Sequence, residues 1–445
     1  MGNNIFHTDI LVVGAGAAGL MAAIGAACQS IQDGKKVKIT ILEKMEKAGR
    51  KIAITGKGRC NFTNMKNWND FSPHVHPKPN LLKSAFYNMP PDKLLGFFES
   101  EGMPAVVERG DRAFPASHKS WDVVDTLVSK AVRCGVEIHY NTEVSDISHN
   151  ENDDYSFRVA SGNGKLYCSR KLIIASGGLS YPSTGSTGDG YRWARDLRHK
   201  TSICHPSLTA LVPKGYKTVS PSEDGHIPRE SPLSEFGSKL CGNQLKNIGL
   251  SVIIDGNVIA EEFGDIDFTD GGLEGPLGFQ VSRRCVKAIL NGSKVKLSVD
   301  FKPAVPESEL QNRIYALWKA ISEDRRSSGR PYNEKFNILL GKLLPREFIA
   351  GFIAGNNIGD HNRLARRLKN WELDISGYVG YERCVITAGG IPAEELKPKT
   401  LESKICGGLY FAGEVLDLDA DTGGYNLQIA FCTGYLSGQS AAKAL

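Results

Sequence analysis

The strongest constraint on this chain is a short run near its start, Asp9-Ile-Leu-Val-Val-Gly-Ala-Gly-Ala-Ala-Gly19, together with the acid that answers it, Glu43. Ile10 to Val13 is an unbroken apolar stretch of strand length. It leads into Gly14, Gly16 and Gly19, at G-x-G-x-x-G spacing. Alanine-rich sequence from Ala17 to Ala27 predicts a helix, Asp33-Gly34-Lys35 a turn, and Val37 to Leu42 a second strand that delivers Glu43. Strand, glycine loop, helix, strand and acid in that order describe a βαβ unit that holds a dinucleotide. Gly14 permits the tight turn, Gly16 lets a pyrophosphate reach the backbone, and Gly19 lets the helix lie close to the strand. The free N–H groups and positive end of the helix, at Ala17 and Ala18, face the phosphates. Glu43 is placed to accept hydrogen bonds from a ribose. The motif leaves open which dinucleotide.

At 445 residues the chain is too long for one simple core, and two or three domains are expected. Its formal charge of +5 is small for this length; it permits acidic substrates and gives no pointer to nucleic acid. The N-terminal apolar run lacks a basic flank and a cleavage pattern, so no signal peptide is expected, and no stretch is long enough to span a bilayer. None of the ten cysteines has C-x-x-C spacing, which offers neither a zinc site nor a dithiol centre, and no metal site is expected. These features point to a reducing, cytoplasmic setting and a small-molecule substrate, with no membrane or nucleic-acid partner expected. Oligomeric state is not legible.

Further along, helices are expected over Pro91 to Glu101 and Asp122 to Cys134, the second with apolar residues at Val123, Val124, Leu127, Val128, Ala131 and Val132. Val136 to Tyr140, Phe157 to Val159 and Lys171 to Ala175 read as strands. From about residue 201 the texture becomes β-rich, with short runs such as Leu250 to Ile254 and Val295 to Val299. Residues 304–371 read as helical and strongly basic, most simply a solvated face, or more sharply a lid or partner surface. Gly377 to Cys384 returns to strand character, and the chain closes with a glycine-rich stretch, a short strand and a final helix.

Three later segments favour a flavin over a nicotinamide as the resident group. Lys171-Leu-Ile-Ile-Ala-Ser-Gly-Gly178 runs a strand into small residues at a sheet end. Gly408-Leu-Tyr-Phe-Ala-Gly-Glu-Val-Leu-Asp417 is a buried strand ending in Gly-Glu, with Asp417 beyond. Asp421-Thr-Gly-Gly-Tyr-Asn-Leu-Gln428 opens the last helix, whose N-terminus would stabilise the negative charge that develops on a reduced flavin. A nicotinamide dehydrogenase needs no such C-terminal half-site. No second complete fingerprint follows a strand, so a separate NAD(P) domain is not expected.

With these pieces assembled, the chain resembles the BaiN-like and YhiN-type NAD(P)/FAD-dependent oxidoreductases, which include aminoacetone-oxidase-like flavoproteins. The resemblance rests on residues 9–23, 49–64 (GRKIAITGKGRCNFTN), 111–127, 173–194, 268–276, 385–391 and 408–431. It implies an α/β fold: a Rossmann-like FAD-binding domain of the two-dinucleotide-fold type, with inserted β-barrel-like and small helical domains. The implied boundaries are 1–200 with 384–445, 201–303 with 372–383, and 304–371. FAD would be held by Gly14, Gly16, Ala17, Ala18, Gly19, Glu43 and Lys44. The basic loop would add Arg50, Lys51, Thr55, Gly56, Gly58, Arg59, Cys60 and Asn61. Later segments would add Val144, Ala175, Ser176, Gly177, Gly413, Glu414, Asp417, Gly423, Gly424, Tyr425, Asn426 and Leu427. The chain departs from the family pattern at Lys57, Asp270, Glu274, Ala420 and Arg198, where Gly, His, Ser, Gly and Gly are usual. Lys57, Asp270 and Glu274 bear on the substrate side.

Candidate chemistry falls on a few side chains. Cys60 is either a thiol near the isoalloxazine or a small packing residue in a tight loop. Arg59 and Lys57 suit an anion. His118 offers acid–base chemistry, and Tyr181 or Tyr191 a proton for a carbanion. Thr387 and Asn426 offer hydrogen bonds to flavin atoms. The leading expectation is reduction of FAD by NADH or NADPH, then hydride transfer to an enone of a steroid- or bile-acid-like substrate. The alternatives are an oxidase of a small amine that makes hydrogen peroxide, and a redox-sensing or binding flavoprotein.

Overall fold

The computed structural model describes residues 5–355 and 360–445. The chain forms two compact units: the N-terminal part to His205 together with Ile386–Leu445, and Pro206–Val385.

The first unit is built on β1 (Ile5–Val13), α1 (Ala17–Gln32), β2 (Ile39–Leu42), α2 (Ser120–Arg133), β3 (Glu137–His139), β4 (Val144–His149), β5 (Phe157–Ser161), β6 (Leu166–Ile174), β7 (Leu409–Phe411) and α3 (Tyr425–Lys443). The strand order is β3-β2-β1-β6-β5-β4, with β7 also pairing to β6. β3, β2, β1, β6 and β7 are parallel, which is why Ile10, Leu11, Val12, Leu172, Ile173 and Ile174 are all fully buried. The register aligns Val13 with Leu42 and Ile174, Leu42 with His139, and Ile174 with Phe411. Five carboxyl ends therefore meet along one edge of the sheet, where open α/β folds bind ligands.

α1 and α3 lie against each other through small residues. A Cβ added to Gly434 would stand 2.2 Å from the Ala18 carbonyl oxygen, and one on Gly438 would stand 1.8 Å from that of Ala22. One on Gly25 would stand 2.6 Å from the Tyr435 oxygen. Gly434 and Gly438 meet Ala18 and Ala22 in the same order along both chains, so the helices are parallel. With α1 starting at Ala17 and α3 at Tyr425, α3 starts roughly one to two turns ahead of α1.

The second unit contains a closed six-stranded barrel of Leu211–Pro213, Leu273–Glu274, Asn257–Phe268, Gln244–Ile254, Val295–Asp300 and Trp371–Val379. Leu211–Pro213 closes the ring by pairing back onto Trp371–Val379. Helices Glu307–Glu323 and Tyr332–Leu343 follow the barrel strand Val295–Asp300. Phe301, Phe348 and Phe352 pack on Trp371 at 5.7, 5.3 and 6.2 Å between ring centres, so helices and barrel share an apolar core. Rossmann-like domain, inserted barrel and helical segment match the fold class expected from the sequence.

One expected element is displaced. The strand expected over Gly377 to Cys384 runs over Trp371–Val379, because Val299 and Val295 pair with Trp371 and Ile375 and bury that side of the strand. Gly380 to Cys384 is a turn, in which the Arg383 and Cys384 amides donate to the Gly380 carbonyl.

Candidate functional site

Each aligned strand end is followed by one of the segments that the sequence singled out. After β1, Gly14 has φ +102°, and a Cβ there would stand 2.6 Å from the Ala175 carbonyl oxygen. Gly19 is closer still: its Cβ would stand 1.8 Å from the Gly14 oxygen. Gly16 differs from both, because nothing lies within 4 Å of its Cβ position. It caps α1 without any side-chain hydrogen bond, so no side chain engages the N–H groups that open the helix.

After β2, the Glu43 carboxylate accepts from the Ala15 and Met45 amides, both at 2.8 Å. Burial pushes its pKa up, against these hydrogen bonds. Each oxygen keeps a lone pair, so Glu43 braces the glycine loop and retains capacity for a ribose hydroxyl. The Thr142 amide donates to the Glu43 carbonyl at 2.9 Å, which carries the segment leading to buried Val144 past this acid. Lys44 pairs with Asp189 at 2.8 Å.

The basic loop is tied to this corner where the Gly49 amide donates to the Ala15 carbonyl at 2.9 Å. It contains Gly56, Lys57, Gly58 and Cys60, all at positive φ. Thr55 donates to the Ile52 carbonyl at 2.6 Å, and Arg50 to that of Ser183 at 3.2 Å. The loop then runs against the turn that opens α3. Asn64 donates to the Gly423 carbonyl at 3.0 Å, and Thr63 to Gln428 Oε1 at 2.7 Å. A Cβ on Gly424 would meet Asn61 Oδ1 at 2.8 Å. Asn426 is spent on the turn itself, exchanging hydrogen bonds of 2.8 Å with the Ala420 amide and carbonyl. Tyr425 stacks on His74 at 4.5 Å, and Leu427 sits half-buried in the first turn of α3. Like α1, α3 begins without a side-chain cap.

After β6 and β7 the two return segments meet. Gly177 has φ +78°, and Gly413 packs so closely that its Cβ would stand 2.6 Å from that of Ala18. Glu414 Oε2 accepts from Lys51 at 2.7 Å. Its Oε1 accepts from the Ser180 hydroxyl at 2.5 Å, the Thr387 hydroxyl at 2.9 Å and the Thr387 amide at 3.0 Å. Burial alone would raise its pKa; the Lys51 charge and these donors outweigh burial and hold it below the usual carboxylate range. Glu414 is thus a hub joining the basic loop, the segment after β6 and Thr387. Asp417 accepts from Ser202 at 2.7 Å.

The catalytic candidates separate by what they touch. Cys60 is fully buried and its thiol is pushed up to about 12 by burial, which suits packing and not a thiolate. The Thr387 hydroxyl donates to Glu414 and accepts from the Leu179 and Ser180 amides at 2.8 and 3.1 Å, which uses all its valences. Thr387→Val is therefore expected to lower stability by about 2–4 kcal/mol in urea unfolding, through two orphaned buried amides. Tyr191 donates to the Glu414 carbonyl at 3.2 Å. His118 and Tyr181 both sit at positive φ. His118 Nδ1 lies 3.0 Å from an Arg59 nitrogen, and that guanidinium also pairs with Glu108 and covers the Phe114 ring at 4.6 Å. Ser180, Thr63 and Asn64 were not singled out from sequence, although each stands within a quoted motif.

The residues present fit FAD. Two uncapped helix N-termini are staggered by roughly one to two turns along the helix direction, with open space at Gly16. Two buried polar atoms, Ser176 Oγ and Asn61 Oδ1, have no hydrogen-bond partner. Ser176 follows β6, and Asn61 stands beside Gly424. A long group with a pyrophosphate and a distant polar ring edge suits this set of donors and acceptors.

Comparison with known proteins agrees. Over 97% of its length the chain is 31% identical to the 3-dehydro-bile acid delta(4,6)-reductase of Clostridium scindens, spanning 98% of that protein. It is 27% identical to the ribosomal RNA dihydrouridine synthase of Haemophilus influenzae, over 98% of this chain and 99% of that one. Among solved structures, the 3-ketosteroid delta1-dehydrogenase of Sterolibacterium denitrificans shares the fold, with a TM-score of 0.50 at 13% identity, covering 99% of this chain and 100% of that chain. The family model described as the HI0933-like protein Rossmann domain matches residues 8–440. The chain belongs to this HI0933-like family, and it is an FAD-dependent oxidoreductase.

Proposed function

We propose that this protein is an NAD(P)H-driven reductase of a C=C bond conjugated to a carbonyl, acting on a small steroid- or bile-acid-like enone. The observation that carries the reading is the pair of uncapped helix starts, one at Gly16 and one at Gly424, on the edge where five strand ends meet. In this reading Gly14, Gly16, Gly19 and the amides of Ala17 and Ala18 hold the pyrophosphate. Glu43 holds the ribose, and the Thr142–Val144 segment borders the adenosine. Arg50, Thr55 to Asn61, Ala175 to Gly177 and Gly413 line the path to the flavin, and the Gly423 to Leu427 turn faces its ring. Lys44, Lys51, Glu414 and Asp417 act by holding these segments in place.

When bound, FAD supplies hydride chemistry at its ring. The chain's own task is to orient the enone, exclude water and deliver a proton to the α-carbon. Cys60, Thr387 and Tyr191 are committed elsewhere, and in this reading the Nε2 of His118 delivers that proton. The relatives support the chemistry: a bile acid reductase and a dihydrouridine synthase both carry names that denote reduction of a C=C bond conjugated to a carbonyl.

Anaerobic stopped-flow tests the reading. NADH or NADPH is expected to bleach the flavin absorbance, and a steroid 4-en-3-one to restore it. If neither nicotinamide bleaches the flavin while a small aminoketone does, the protein is an amine oxidase and the reading is lost.

A further inference from the structure

We propose that His74 and His76, held against Asp421 at the start of α3, take up a proton when the flavin is reduced and release it when the flavin is reoxidised. They act through the turn and not by touching substrate, so they are positioning residues. The proposal rests on the reading that the Gly423 to Leu427 turn faces the flavin ring, and adds a proton account to it.

The cluster follows from a short ladder. Val75–His76 and Asp419–Ala420 pair antiparallel, with Asp419 opposite His76 and Ala420 opposite Val75. The Asp421 amide donates to the His74 carbonyl at 3.1 Å and carries the register one step on. Residues two apart on a strand share a face, so His74, His76, Asp421 and the fully buried Asp419 come to one side. His74 Nδ1 donates to Asp421 Oδ2 at 2.8 Å, and His76 Nε2 lies 3.6 Å from Oδ1. Among the described residues no Lys or Arg reaches Asp421 at ion-pair distance, so the imidazoles supply the positive charge it meets. Burial alone would raise the Asp421 pKa; the two imidazoles outweigh it and hold the carboxyl down to about 2. Asp421 is therefore a fixed negative charge. The histidines are the variable members, because histidine is the side chain that changes charge between about pH 5 and 8. With His74 Nδ1 and His76 Nε2 turned to Asp421, the added proton goes to His74 Nε2 or His76 Nδ1. The two side chains are 34% and 31% exposed, so solvent reaches them.

The cluster is fastened to the turn. Asn426 donates to the Asp421 carbonyl at 3.4 Å, and Tyr425, the first residue of α3, stacks on His74 at 4.5 Å. Burial, Asp421 and Asp111 all push the Tyr425 hydroxyl up, so it stays neutral. With both imidazoles neutral, the cluster leaves negative charge beside the uncapped start of α3. That charge opposes the one that builds on a flavin as it is reduced, and each proton gained lessens the opposition. Linkage then runs both ways: reduction raises the proton affinity of the histidines, and their protonation favours reduction. The balance closes. Two electrons and a proton reach the flavin as hydride, one further proton passes from solvent to an imidazole, and it returns to solvent on reoxidation. A metal does not account for the four side chains, because among the described residues no three such groups are placed to hold an ion.

The test is a spectroelectrochemical titration of the full-length, FAD-loaded protein across about pH 5 to 8. Wild type is expected to take up about one more proton per two electrons than H74Q/H76Q, read as a steeper fall of potential with pH. Histidine ring-proton NMR of wild type is expected to place the His74 or His76 midpoint about one pH unit higher in the reduced protein, a tenfold gain in proton affinity. In the FAD-free protein, D421N is expected to lower both midpoints; unchanged midpoints would separate the histidines from Asp421 and overturn the proposal. Equal slopes in wild type and H74Q/H76Q also overturn it. If that variant binds no FAD, midpoints that coincide in oxidised and reduced wild type overturn it instead. An electrode supplies the electrons, so the two readings fail separately. An extra proton in a protein that NAD(P)H does not bleach removes the proposed reduction alone, and bleaching with equal slopes removes the proton proposal alone.

Discussion

Gly16→Ala and Gly19→Ala are expected to fail in opposite ways although they lie three residues apart. At Gly19 the new methyl would stand 1.8 Å from the Gly14 carbonyl oxygen, inside the turn that joins β1 to α1. Neither partner has room to move, because Gly14 is itself pressed on Ala175 and follows the buried Ile10 to Val13 end of β1. The variant should lose its cooperative unfolding transition or fail to accumulate as folded protein. At Gly16 the methyl meets nothing within 4 Å, and the backbone, at φ −81°, accepts alanine without strain. Gly16→Ala should therefore keep its thermal transition within about 0.5 kcal/mol of wild type. The methyl instead enters the space before the α1 amides. FAD affinity is expected to fall at least about tenfold, or about 1.4 kcal/mol. Flavin absorbance against total protein, measured beside circular dichroism, separates the two results. Full flavin retention in Gly16→Ala would show that the phosphates lie elsewhere.

Glu414→Gln is expected to be the most destabilising charge change in the first unit. It removes the charge that Lys51 faces at 2.7 Å while leaving an oxygen for Thr387 and Ser180. Breaking a buried pair is strongly destabilising; the expected loss is about 3 kcal/mol, the low end of the range because Lys51 keeps some access to water. The sign of the pH effect follows from the lowered pKa. A carboxyl held below its unfolded value stabilises the fold fully above that value, and the stabilisation is lost as pH falls toward the folded value. Wild type should exceed Glu414→Gln in urea midpoint at neutral pH. The gap should narrow as pH drops below the ordinary glutamate value of 4.5. A constant gap from neutral to acid pH would show that charge is not what Glu414 contributes.

The parts of the fold visible in the sequence are those that local sterics dictate. Gly14 and Gly19 are glycines because any Cβ would collide, and such positions announce themselves by spacing. The return of the chain at β7 was legible in the Gly408 to Asp417 run, whereas the barrel insertion followed from the family resemblance. What stayed hidden was long-range pairing. Glu414 meets Lys51 and Ser180, which lie 363 and 234 residues away in the chain, and no local pattern encodes such a meeting. Thr387 suggested a free hydroxyl until the amides of Leu179 and Ser180 were seen to occupy it. The final barrel strand was misplaced because Trp371, Leu373 and Ile375 alternate inward just where the basic helical texture ends.

The glycine contacts between α1 and α3 also set a timetable for biosynthesis. Almost four hundred residues separate the end of α1 from the start of α3. At about 5–20 residues per second, the ribosome needs roughly 20 to 80 s to produce the second helix after the first. Throughout that interval the stripe formed by Ala18, Ala22 and Gly25 lacks the surface that covers it in the finished protein. In the proposed reading, the segment around Gly14 to Gly19 can form on the nascent chain, but the Gly423 to Leu427 turn cannot. Assembly of the full candidate site therefore waits on α3, which is synthesised long after α1.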